Sequence, residues 1–431
     1  MTLNNSRAVR PSHRANILSR TRNLKMARDA HAYVRGSTER FYEWLEAEGR
    51  TLPAGPPVWI CGDCHLGNLG PLADADGHID IQIRDLDQTV IGNPAHDLVR
   101  LGLSLASAAR GADLSGVTTA RMLEEVVQGY QQAMAKKFDS RAEKDRRPQL
   151  VRDVLKLAIR RTWRHLAEER IENVKPSIPL GKRFWVLSRQ ERSGLNRLFQ
   201  SDDIRELVTS LRGRKGRAEI KVLDAAYWVK GCSSLGRLRY AVLVGLGTKM
   251  TPKNMCLIDL KEGVRARAPR AAHVKMPRDN AERVVQGAKA LSPNLGERMM
   301  ATMLFDKSII LRELMPQDLK IEIARLTKDE AGAVARYLAS VVGKAHARQM
   351  DEGTRQKWIG ELGRSRSKSL DAPSWLWLSV VSLMASHEAA YLDHCRRHAM
   401  TPGCLSSTRA KPRDRSNASN RSDWHSRSMS C

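Results

Sequence analysis

The chain has 431 residues, 42% hydrophobic, 28% charged and 5% aromatic. That length exceeds one small core and points to two lobes, and so few aromatics argue against stacking platforms for single-stranded nucleic acid. Lys and Arg number 73 against 47 Asp and Glu, a net charge of +26, which attracts phosphate in any form. The basic residues are spread along the chain, so nucleic acid is a possible partner but not the favoured one. No apolar run reaches the ~20 residues of a membrane span, and the first 25 residues carry no secretory apolar core. Seven cysteines, an odd number, suggest reduced thiols. The expectation is a cytoplasmic protein with no membrane contact.

In chain order, residues 1–27 read as a polar lead-in. Residues 29–48 have helical spacing, with Tyr33, Phe41, Trp44 and Leu45 as buried positions and Gly36 as an interruption. A Pro/Gly break at 52–57 precedes a short strand at 58–60, the loop CGDCHLGNLG, a second strand at 79–83 and the segment RDLDQT. Pro94 then opens an apolar helix over 95–110. Further helices fill 118–137 and 149–172. From about 218 the pattern turns to short β-rich runs, AEIKVLDAAYWV, RLRYAVLVGL, NMCLIDLKEG and SIILRELM, with one helix over 280–291. Helical spacing returns from 328 and includes 375–398. The tail, 401–431, is Ser/Arg-rich and reads as disordered. The implied division is 28–215 as a helical lobe bearing the catalytic loop, 216–318 as a β-rich lobe, and 319–400 as helices returning to the first lobe.

The chemistry concentrates in GDCHLGN. Asp63 sits five residues before Asn68 in a Gly-bearing loop between strands, a spacing suited to phosphoryl transfer: the Asp orients an acceptor hydroxyl and the Asn oxygen binds Mg2+. Asp85 and Asp87 follow the next strand and supply the hard carboxylate ligands that Mg2+ prefers. Asp97 lies in the first turn of a helix, where the dipole favours it. His65 is a second catalytic candidate, though a role in holding the loop is favoured. Cys61 and Cys64 spell C-x-x-C-H with His65 but read as small buried flanks of the loop.

The pair GDCHLGN and RDLDQTVIGNPAHDLVRL resembles the catalytic and metal-binding segments of aminoglycoside phosphotransferase-like and choline-kinase-like enzymes, of protein-kinase-like fold. More closely, KMARDAHAYVRGS, GDCHLGNLG, RDLDQT, KGCSSLGRLRY and LKEG resemble the bacterial family called domain of unknown function 2252, over about residues 25–400. The resemblance implies Asp63 as catalytic Asp, Asn68 and Asp85 as metal ligands, Asp87 as a possible further ligand and Asp97 as a buried anchor of the loop.

The β-rich segment follows the catalytic loop by about 170 residues. Gly231, Ser233, Ser234 and Gly236 form a turn able to cradle phosphates, and Lys261 ends an apolar strand, as a phosphate-binding lysine does. Glu282 is offered as its acidic partner, the family position falling nearer Gln286. Backbone groups of Glu313 to Met315 are placed to meet adenine. The expectation is therefore an α+β, two-lobed kinase-like fold, circularly permuted, that uses ATP and Mg2+ to phosphorylate a small-molecule hydroxyl. Nucleotidyl transfer, a regulatory nucleotide-binding module and a basic nucleic-acid-binding protein are the alternatives. Arg35, Arg312 and Lys320 are open between binding phosphate or substrate and plain surface, and His346 reads as a core-edge histidine.

Overall fold

A computed structural model describes residues 9–74, 76–135, 147–160, 177–210, 219–231, 235–247, 254–315, 327–363 and 373–399. The chain is a mixed α+β structure with open antiparallel sheets. It begins with α1 (Pro11–Met26), α2 (Ala30–Gly36) and α3 (Thr38–Glu48). Pro11 occupies the first turn of α1, where its missing N–H is harmless. Asp29 caps α2 by accepting from the Ala32 N–H at 2.6 Å.

Two ribbons follow. β1 (Val58–Ile60) pairs with β4 (Val90–Gly92), and β2 (Leu69–Ala73) with β3 (Ile79–Ile83). Their loops carry GDCHLGN and RDLDQT. Next come α4 (Ala95–Gly111), α5 (Gly116–Met134) and α6 (Gln149–Arg160). In α4 the side chains of Leu98, Leu101, Leu103 and Leu105 are all fully buried, because other elements cover more than one of its faces.

The second part opens with β5 (Phe184–Trp185), α7 (Arg189–Leu198) and α8 (Asp202–Ser210). The strands β6 (Ile220–Trp228), β7 (Arg239–Leu246) and β8 (Met255–Glu262) follow, then α9 (Asn280–Leu291), the short α10 (Pro293–Gly296), β9 (Met299–Leu304) and β10 (Lys307–Leu314). These strands form one sheet in the order β5-β6-β7-β8-β10-β9, antiparallel throughout. Strand alternation sorts the side chains to two faces. Tyr240, Val242, Val244, Ile258, Leu260, Ile309 and Leu311 share a core with α7 and α8. Arg239, Asp259, Lys261 and Arg312 stand on the other face, turned to the ribbon loops. The chain closes with α11 (Lys328–Ala347), which packs along α5, then α12 (Glu352–Gly363) and α13 (Ser374–His398). Among the described residues no helix is long and apolar enough to cross a membrane.

Two expectations need correction. Residues 11–26 are no lead-in but a helix that spans both parts. Arg14 donates to Glu191 at 2.6 Å, Leu18 enters the sheet core, and His394 Nε2 of α13 lies 2.9 Å from the Asn23 carbonyl. The β-rich unit also begins earlier than residue 216, since Leu187, Leu195, Phe199, Ile204 and Val208 pack into the core of the sheet. The tail 401–431, Lys320, Ser233 and Ser234 lie outside the described residues.

Candidate functional site

The loop between β1 and β2 is hung from below. Gly62 has φ +76°, and an added Cβ would come within 2.3 Å of the Gln88 carbonyl oxygen, so only glycine fits. Asp97, fully buried in the first turn of α4, accepts from the Cys61 N–H at 2.7 Å and the Gly62 N–H at 2.9 Å. His346 of α11 approaches Asp97 Oδ2 with Nε2 at 3.2 Å and the Tyr130 hydroxyl with Nδ1 at 2.8 Å. The Trp358 indole donates to that hydroxyl at 3.1 Å. A buried polar chain therefore runs from α12 through α5 and α11 to the loop. Cys61 and Cys64 are fully buried free thiols, and their mutual hydrogen bond, then burial, push Cys61 well above the usual range.

Asp63 is held at both oxygens. Arg100 of α4, itself fully buried, gives Nε to Oδ1 at 2.7 Å, and Thr38 donates to Oδ2 at 3.1 Å. Arg100 also donates to the Val34 carbonyl at 2.8 Å, so α2 is part of the same brace. His65 accepts from the Gly67 N–H on Nδ1 at 3.1 Å, and burial lowers it to about 3. It is neutral at pH 7 and shapes the loop. Asn68 gives Nδ2 to the Asp63 carbonyl at 3.0 Å. Its Oδ1 meets no partner among the described residues. The Arg84 N–H donates to the Asn68 carbonyl at 2.7 Å, which sets Asn68 beside the residue before Asp85.

Lys261 crosses to these acidic groups from the sheet. Its Nζ lies 3.4 Å from Asp85 Oδ1 and makes a closer ion pair with Asp87 Oδ2. Glu282 does not pair with Lys261: it is exposed on α9 and accepts from Gln286 at 3.4 Å. The residue that α9 turns inward is Arg283, which donates to the Asp87 carbonyl at 3.0 Å, the Val264 carbonyl at 2.9 Å and the Thr89 carbonyl. It grips the backbone of the acidic loop. Beside Lys261, Asp259 is buried between Arg239, at 2.9 Å, and Arg312, at 3.2 Å. Burial opposes its ionisation, but the two guanidinium groups outweigh that and hold it well below the usual carboxylate range. The Asp85 side chain is half open to the cleft. Lys261, then Arg312 and Arg239, overcome desolvation and hold it low as well. Burial and the Asp85 charge push Asp87 up.

The turn between β6 and β7 is bounded by Gly231 and Gly236, with φ of 98° and 102°. The Gly231 carbonyl accepts from Lys25 of α1 at 3.2 Å. Glu313 is fully buried, and its main chain is engaged by Arg298: its N–H donates to the Arg298 carbonyl at 3.1 Å, and its carbonyl accepts from Arg298 Nη1 at 3.0 Å. Met315 is the last described residue of that segment. Beyond Asp259, the same sheet face is apolar (Ala241, Leu243, Leu257, Leu314) and is packed with Ile178 and Phe184. The cavity among Asp85, Asp87, Lys261, Arg239 and Arg312 measures about 40 Å³, little more than room for water.

The donor set fits a hard divalent ion: the Asn68 amide oxygen and the Asp85 and Asp87 carboxylates are all oxygen ligands. Lys261 now supplies the positive charge there. The remaining acidic cluster among the described residues, Asp74, Asp76 and His78, lies on the turn between β2 and β3.

A family model described as "Uncharacterized protein conserved in bacteria (DUF2252)" matches residues 14–397. The chain belongs to this family. No curated protein and no solved structure matches it. The match spans α1 to the end of α13, so this DUF2252 chain carries the loop of Asp63, the acidic loop of Asp85 and the sheet with Lys261 within one family region. Sequence reading did not find Arg100, Thr38, Arg283, Arg239 or Asp259 as parts of the site. Arg100 had a visible cue, being a charge inside an otherwise apolar helical run.

Proposed function

We propose that this cleft is the active site of an ATP- and Mg2+-dependent phosphotransferase, a circularly permuted relative of the protein-kinase-like fold. The observation that carries the reading is the meeting of Lys261 with Asp85 and Asp87, beside a loop in which Asp63 and Asn68 are rigidly held. The order of parts supports it too. A glycine turn lies between the first two long strands, a lysine ends the third, and a helix follows, as in the nucleotide-binding part of protein kinases.

In this reading Asn68, Asp85 and Asp87 hold Mg2+, which neutralises phosphate charge when bound. With those carboxylates serving the ion, Lys261 would be left to pair with phosphate oxygens. Arg239 and Arg312 stand beside it as further cations. The cavity is too small for a triphosphate as it stands, so Lys261 and its neighbours must swing apart for entry. The apolar face under Ile178 and Phe184 must also open if adenine is to lie there. Asp63 orients the acceptor hydroxyl. The acceptor oxygen bonds to the γ-phosphorus as the bond to the ADP oxygen breaks, and the hydroxyl proton passes by way of Asp63 to water. With both oxygens already hydrogen-bonded, Asp63 acts chiefly by placement, which is most of what phosphoryl transfer asks of a protein.

The test is turnover. The full chain is incubated with γ-labelled ATP, Mg2+ and pooled metabolites carrying hydroxyl groups. Label should move to one class of acceptor, and Asp63→Ala and Asp85→Ala should each abolish transfer. Absence of transfer from ATP under every condition, or transfer that survives Asp85→Ala, contradicts the reading.

A further inference from the structure

Arg35 of α2 lies against the loop that carries Asp63. A Cβ added to Gly67 would meet Arg35 Cζ and Nη2 at 3.1 Å and His65 Cε1 at 3.2 Å. Among the described residues Arg35 makes no hydrogen bond or ion pair, and its Nε is buried without a partner. Asp63 does not pair with it, its two oxygens meeting Arg100 and Thr38 instead.

The same neighbourhood holds two more unpartnered buried nitrogens. Arg100, fully buried, places Nε on Asp63 and Nη2 on the Val34 carbonyl, which leaves Nη1 without a partner. His31, one helical turn before Arg35, has an unpartnered buried Nδ1. Burial, then the charge of Arg35, lowers His31 to about 4, so it stays neutral and adds no charge of its own. Buried polar groups in folded proteins nearly always have partners. Arg35 is an unpaired guanidinium group beside the loop, and Arg100, paired with Asp63 and lying over the Phe41 ring, keeps one further N–H group without a partner. Arg is the side chain whose planar fork matches the oxygens of phosphate or carboxylate.

We propose that Arg35, backed by Arg100 Nη1 and His31, binds the anionic group of the acceptor, so that the substrate is a hydroxyl compound carrying a phosphate or carboxylate. The assignment of the acceptor rests on the transferase reading; the anion site itself does not. Arg35 would bind the fixed end of the molecule while Asp63 orients its hydroxyl. A neutral sugar or amino alcohol would leave the guanidinium groups unmatched.

The test uses the full chain and three probes: glycerol 3-phosphate, glycerate and uncharged glycerol. Binding is followed by thermal shift in the wild type, Arg35→Gln, Arg35→Lys and Lys261→Met, with ATP–Mg2+ run in parallel. One or both anionic probes should raise the melting temperature and glycerol should not. The anion response should persist in Lys261→Met, weaken at least tenfold in apparent Kd in Arg35→Gln and recover in part in Arg35→Lys. Which anion binds better separates phosphate from carboxylate. An anion response lost in Lys261→Met and untouched by Arg35→Gln would place all anion binding in the acidic cleft and overturn the proposal, while ATP–Mg2+ binding would still support the transferase. No response to either anion also overturns it. An Arg35-dependent anion response without any ATP–Mg2+ binding would keep the anion site and remove the transferase.

Discussion

Replacing Asp97 probes the suspension of the loop. The carboxylate is fully buried and takes two backbone N–H bonds, at 2.7 and 2.9 Å, with His346 Nε2 at 3.2 Å. Asp97→Asn keeps the shape but turns one acceptor into an NH2 group that faces a donor. The loss of a bond to a charged group is worth about 1.5–3 kcal/mol, and the buried N–H left behind a further 1–3 kcal/mol. Together these give roughly 2.5–6 kcal/mol, a large share of a typical stability of about 5–15 kcal/mol. Asp97→Ala orphans all three partners and should be worse. Urea denaturation gives the stability, and hydrogen exchange at the Cys61 and Gly62 amides reports the loop itself. A stability within about 1 kcal/mol of wild type, well below that sum, with both amides still protected, would refute the suspension argument.

Three further outcomes are expected. His65 is lowered to about 3 by burial, against about 6.5 in the unfolded chain. The unfolded state therefore takes up the proton first, and stability falls as pH drops from 6.5 toward 3, by up to about 1.4 kcal/mol per pH unit. His65→Gln should show a shallower loss between pH 6.5 and 5 in urea titrations; an unchanged slope contradicts the buried neutral imidazole. Gly62→Ala forces a side chain onto φ +76° and to within 2.3 Å of the Gln88 oxygen, which should lower stability by about 2–4 kcal/mol; a melting temperature equal to wild type refutes that geometry. Arg14→Met leaves Glu191 with an uncompensated, largely buried charge and should lower stability by about 3–5 kcal/mol. Adding Glu191→Gln should restore part of that loss, and a double variant no better than the single one would contradict the pairing.

Much of the secondary structure was legible because local patterns announce it. The apolar run after Pro94 became α4, residues 280–291 became α9, and the four β-rich runs became β6, β7, β8 and β10. The helix α1 escaped because its buried positions are Arg14, Leu18 and Met26, too few apolar residues to make a stripe. The helices α7 and α8 have apolar faces, but a face does not say what it packs against, and here the answer is the sheet. In the site, the short-range spacing of Asp63, Asn68, Asp85 and Asp87 could be read. The contact of Lys261 with Asp85 spans 176 residues and leaves no local trace. The braces escaped for a related reason. Arg100 and Arg283 lie on helix faces where the pattern asks for apolar residues, and their partners are mostly backbone carbonyls, which carry no sequence signal.

The central claim is that Lys261 and the acidic loop form one phosphate-and-metal site. Its most direct test is calorimetric titration of the full chain with ATP, with and without Mg2+, in the wild type, Asp85→Asn and Lys261→Met. Binding should depend on Mg2+ and weaken at least tenfold in each variant, about 1.4 kcal/mol or more. ATP binding that ignores both substitutions, or no binding at all, would contradict that claim.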